Sequence, residues 1–113
     1  MPSAEETLRR LTIAEASLLP SIHGHHGGDA AQSVLDERTE ALVRVGALVA
    51  LDAPESSYLA AVESAFLAGV TLDELVAVLT TVAGSVGSAR VVSAAPRLAM
   101  AVGYDIERAI EFD

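Results

Sequence analysis

Residues 35–54 read LDERTEALVRVGALVALDAP, and the fold is decided there. Asp36 suits the N-cap of a helix running to about Leu51. Between residues 41 and 53 the only charges are Arg44 and Asp52. A helix that is apolar all round needs cover on nearly every side, and a chain of 113 residues can hardly supply it alone. The stretch therefore predicts both a helix and the association of several copies.

Working outward, Pro54 suits the first turn of a following helix over residues 55–68, and Gly69 its C-terminal stop. Thr71-Leu-Asp-Glu74 has the form of a capping box, in which hydroxyl and carboxylate satisfy each other's orphan amides. Leu72, Leu75, Val76, Leu79 and Val82 follow at helical spacing. Gly84 and Gly87 are expected to loosen or bend the chain. Residues 88–102 resume as a helix that Pro96 must kink or restart, because proline offers no amide and clashes one turn back. Gly103 ends it, and Asp105 caps a short last helix. Toward the N-terminus, residues 4–19 read as an amphipathic helix with Leu8 and Leu11 on one face, Arg9 and Arg10 on the wet side, and Pro20 as its end. Residues 20–34 hold Gly24, Gly27, Gly28 and three histidines, and read as a loop. Strand-like alternation is absent. The expectation is an all-α single domain over residues 1–113, built from five to six helices.

Composition narrows the rest. Hydrophobic residues make up 51% of the chain but aromatics only 4%, so the core must come from Ala, Val, Leu and Ile. Small side chains let helices approach closely. The net charge of −9 repels phosphate backbones and anionic lipid surfaces, which argues against nucleic acid and membrane partners. The longest charge-free stretch, residues 75–89, falls short of the ~20 residues of a membrane span and is interrupted by glycine. Residues 1–10 carry Glu5 and Glu6 and lack the apolar segment of a secretory signal. No cysteine is present. Thiol chemistry is thereby excluded, and a cytoplasmic location is expected.

Three stretches, LDERTEALVRVGALVALDAP, AFLAGVTLDELV and VGSARVVSAAPRLAMAVGYD, make the block from residue 35 to residue 105 resemble the carboxymuconolactone decarboxylase family, within the alkylhydroperoxidase-D-like superfamily. The run AGVT-x-DE between two helices is the most specific. The resemblance implies an all-α fold assembled through apolar helices into homotrimers or homohexamers. It also implies a lyase or isomerase acting on a small organic acid or lactone. The peroxidase-type relatives carry C-x-x-C-x-x-x-H. Counted back from Gly69, the histidine of that motif falls on Ala61 and the cysteines on Ser57 and Pro54, so none of the three groups is present. The family's early-helix glutamate matches Glu40. A member that has lost catalysis and serves as a ligand-binding or assembly subunit is the alternative.

Each candidate residue has a chemical and a plain reading. Glu40, in nearly apolar surroundings, is either a general base or the partner of Arg44 one turn on. Arg44 and Arg90 are either anchors for a substrate carboxylate or members of salt bridges between subunits. His23, His25 and His26 lie close to Asp29 and form either a metal-ligating cluster or, better, an exposed polar loop. His26 is the candidate from this loop to supply the missing proton-transfer histidine. The phenol of Tyr58 is available to hydrogen-bond a ligand, or its ring simply packs. Neither a cofactor nor a resident metal is expected.

Overall fold

The structure, a computed structural model, describes residues 3–14 and 34–103. The chain divides into two units, residues 1–36 and 37–113. The described residues of the first unit contain α1 (Ala4–Thr12). Ser3 caps it, its hydroxyl accepting from the Glu6 amide at 3.1 Å. Glu5 and Glu6 occupy the first turn and Arg9 and Arg10 the last, each complementing the helix dipole. Arg9 closes a fork on Glu6, with contacts of 2.8 and 3.2 Å, and holds that carboxyl below its ordinary range. The helix ends at Thr12, short of the expected residue 19. Ile13 is its C-cap, and Ala14 takes a left-handed φ of 60°. None of the residues of α1 is buried, and Leu8 and Ile13 stand well out.

The second unit carries α2 (Glu37–Leu51), α3 (Glu55–Leu67), α4 (Leu72–Val86) and α5 (Ser88–Ala101). Among the described residues every regular element is helical, which bears out the all-α reading. The short last helix, the Asp105 cap and the histidine loop fall outside the described residues.

Each helix turns one apolar stripe inward. Ala41, Val45 and Val49 on α2 meet Tyr58, Ala61, Val62 and Ala65 on α3, Leu75 and Leu79 on α4, and Ala94 and Leu98 on α5. Both α2 and α5 pack against α3 and α4, and they also touch each other across the middle. The α2–α4 pair runs parallel: Arg38 reaches Glu74 near both N-termini, and Gly46 lies against Val78 and Val82 further along. A Cβ on Gly46 would stand 3.4 Å from Val82 Cγ1 and 3.7 Å from Val78 Cγ1, ordinary contact distances where the two helices meet.

The caps are written in the chain. Thr71 and Glu74 form the expected capping box. The Glu74 amide donates to Thr71 Oγ1 at 3.2 Å, and the Thr71 amide donates to Glu74 Oε1 at 2.9 Å. The second oxygen of Glu74 pairs with Arg38, tying the start of α4 to α2. Gly69 closes α3 at φ 88°, where Val70 folds back to donate to the Ala65 carbonyl and buries its side chain. Pro54 is the N-cap of α3 rather than a residue of its first turn.

Two expectations about α4 and α5 need refining. Gly84 does not interrupt α4, which continues to Val86. Pro96 sits inside an α5 that runs from Ser88 to Ala101 without a restart. Both Pro96 and Val92, the residue one turn back whose carbonyl loses its amide, lie on the exposed face. Water can take that carbonyl there, which removes much of the reason for a break. The turn between the helices is made by Gly87 alone, at φ 89° and ψ 154°, a conformation almost confined to glycine.

The two glycines should therefore respond oppositely to alanine. Gly84→Ala gains helix propensity in open space and should stabilise the chain by up to about 1 kcal/mol. Gly87→Ala forces a side chain into the left-handed region and should cost roughly 1–3 kcal/mol. Thermal unfolding of the two variants beside wild type measures both.

Candidate functional site

Asp52 is the residue on which the described polar groups converge. It follows the last residue of α2 at φ 53°. Its amide donates to the Val49 carbonyl at 3.2 Å and the next amide, of Ala53, to Leu48 at 3.0 Å. This double closure is the Schellman pattern, in which glycine is the usual left-handed residue. Gly69 and Gly103 hold equivalent places after α3 and α5. An aspartate here accepts backbone strain and puts a negative charge at the wrong end of the helix dipole. What offsets both comes from α5.

Arg90, Ser93 and Arg97 recur at i, i+3 and i+7, so they share one face of α5. The Ser93 hydroxyl donates to Asp52 Oδ1 at 2.8 Å, and Arg97 Nη1 donates to the same oxygen at 2.7 Å. Arg97 Nη1 also donates to the Ala53 carbonyl at 3.0 Å, and so satisfies backbone just past the helix end. Arg90 Nη1 stands 3.7 Å from Asp52 Oδ2, within ion-pair range but beyond a hydrogen bond. Ser93, and after it Arg97, hold the Asp52 carboxyl below the usual carboxylate range.

Tyr58, one turn into α3, belongs to the same apolar core as Ala94 and Leu98 of α5. Its side chain is among the largest fully buried ones, so its ring packs. Its hydroxyl is also buried and has no hydrogen-bond partner. Burial raises the phenol above its ordinary value, and the charges of Arg97 and Asp52 both act on it. The phenol is thus a neutral donor near neutral pH.

The candidates foreseen from sequence are not gathered together. Glu40 is half-buried near the start of α2, and Asp52 lies beyond its end. The rise of a helix puts them about 18 Å apart along the axis, so within one protomer Glu40 does not meet the group that faces Arg90. Arg44 is exposed, and no ion pair joins it to Glu40 among the described residues. Arg90 finds its carboxylate within its own chain. Of the three positions matched to the thiol motif, Ala61 is buried in the core, Ser57 is half-buried and Pro54 is exposed. His26 lies outside the described residues. Among the described residues no group of His, Asp and Glu is placed to hold a metal.

Sequence reading passed over Asp52, Ser93 and Arg97. The signal available was the i, i+3, i+7 spacing on α5, together with an aspartate where a helix stops before Ala-Pro.

Because Asp52 is easier to ionise in the folded chain, its interaction stabilises the fold above the unfolded carboxyl value of about 4. That contribution fades as pH falls through the lower folded value. Asp52→Asn should therefore lower the urea midpoint at pH 7 and flatten the decline between about pH 5 and pH 2. Denaturation curves across that range, wild type against variant, check the slope. No family model, no curated protein and no solved structure matches the chain.

Proposed function

We propose that the chain is a cysteine-independent protein of the carboxymuconolactone decarboxylase type that binds a small organic acid or lactone and works as a homotrimer or homohexamer in the cytoplasm. The observation that carries the binding half is the state of Arg90. Its guanidinium is half-exposed and makes no hydrogen bond among the described residues. It stands beside a carboxylate already engaged by Ser93 and Arg97. Two guanidiniums around one carboxylate leave one positive charge in excess, on a chain whose net charge is −9. Such a spare planar fork matches a ligand carboxylate.

The separation of Glu40 from Arg90 favours ligand binding over turnover. A lyase or isomerase with Glu40 as base and Arg44 or Arg90 as anchor needs a second protomer to bring base and anchor together. Assembly is supported by what α2 leaves uncovered. Val43, Ala47, Ala50 and Leu51 form an outward stripe, with Leu51 74% exposed. Leu67, Val92 and Met100 add further exposed apolar surface on α3 and α5. Protein is the proposed cover for these faces, since a chain of net charge −9 is repelled by anionic lipid surfaces.

Two measurements test these halves separately. Titration calorimetry with a panel of small carboxylates should show binding to wild type, weakened about 10- to 100-fold by Arg90→Gln. Equal affinity in the variant removes Arg90 as anchor. Light scattering on purified protein should give three or six copies, and a stable monomer at micromolar concentration refutes the assembly.

A further inference from the structure

Three helices of the second unit stop in the same way. Asp52, Gly69 and Gly103 each turn left-handed just past a helix, at φ 53°, 88° and 80°. Each donates its amide to the carbonyl three residues back, on Val49, Phe66 and Met100, at 3.2, 3.0 and 3.1 Å. After Asp52 and Gly69 the next residue completes the closure. Ala53 donates to Leu48 at 3.0 Å and Val70 to Ala65 at 2.9 Å, and both side chains are buried. An apolar residue just past such a stop commonly packs back on the helix it leaves. The residue just past Gly103 is Tyr104.

The helix that Gly103 closes has an uncovered outer face. Val92, Pro96 and Met100 recur at i, i+4 and i+8, so they form one stripe of α5. All three are exposed, Val92 by 71% and Met100 by 55%. The stripe carries no charge and is about 12 Å long. Arg90 and Arg97 lie to one side of it, and α5 contains no acidic residue. Residues 104–113, YDIERAIEFD, match this face in length, pattern and charge. Ile106 and Ile110 are one helical turn apart behind Asp105, which suits an N-cap. A helix over residues 106–113 is also about 12 Å long. Four acidic residues against one arginine give the segment the sign opposite to that of α5.

We propose that residues 104–113 fold back at Gly103 and cover the Val92–Pro96–Met100 stripe of their own chain, with Tyr104, Ile106 and Ile110 as the apolar contacts. Gly103 sets the reversal, and burial of apolar surface supplies the attraction. The charges, being at the surface, add orientation more than strength. Val92 and Met100 then belong to a contact within one chain, and the outward stripe of α2 is left as the face for other copies. The cover requires neither a ligand at Arg90 nor assembly.

Met100 is a native reporter of this cover, because the only other methionine of the chain is Met1. In dilute hydrogen peroxide, read by peptide mass spectrometry, Met100 of the folded full chain should form sulfoxide several-fold more slowly than in the urea-unfolded chain. Ile106→Ser combined with Ile110→Ser should remain helical by circular dichroism, keep the copy number seen by light scattering, and lose most of that protection. Oxidation of Met100 as fast in folded wild type as in urea overturns the cover, whatever the variants do. Protection that survives the paired serine substitutions assigns the cover to another segment or copy and overturns the role of residues 104–113. The chain has no cysteine, so Pro96→Cys with Ile110→Cys introduces a single reactive pair. A short bifunctional maleimide should join that pair within one chain. Joining only between chains places the segment on a neighbour and overturns the cover in its own chain.

Discussion

One left-handed aspartate ties the end of α2 to α5 across the helical unit. Asp52 ends α2, and its carboxylate is gripped by Ser93 and Arg97, residues more than forty positions later in the chain. The turn from α2 into α3 is thereby fastened to α5, which itself packs on α3 and α4. Glycine would satisfy the backbone at this point with less strain, as Gly69 does after α3. It would, however, give α5 nothing to hold. Local backbone preference yields here to a long-range polar contact, and such departures concentrate where a chain has something other than stability to serve.

This tie sits on a contiguous apolar core drawn from all four helices of the unit. The buried set is largely Ala, Val and Leu with one tyrosine, and such small side chains let the helices pack closely. Gly46 lies against Val78 and Val82 where α2 meets α4. Polar ties stand at opposite ends of α2, Arg38 with Glu74 at one and Asp52 with Arg97 at the other, and, being partly exposed, they add modestly to the apolar packing.

How much of this was legible depended on whether the information was local. The Thr71–Glu74 box and the Gly69 and Gly103 stops are written within a few residues, and they appear where the sequence puts them. Gly84 and Pro96 misled because both are local penalties that an exposed face tolerates and tertiary packing outweighs. The α1 prediction failed at its end because Leu11 and Ala14 continue a helical spacing while the backbone turns at Ile13. The polar cluster was the least visible part. Asp52 looks like an ordinary turn residue, and its meaning lies in partners that only the fold brings near. The apolar span of α2 was read for what it buries; its closing residue was not read for what it holds.

Glu74 shows what economy of side chains does to a protein of this size. One of its oxygens completes the cap of α4, accepting from the amide and hydroxyl of Thr71, while the other pairs with Arg38 on α2. Thr71 and Arg38 are therefore joined through a residue both of them touch. The energetic effects of changing them are then not independent: loss of the cap frees the carboxylate to move, and the arginine loses a fixed target. In so short a chain, where few groups are spare, substitutions at the start of α2 are read in the background of whatever residue opens α4.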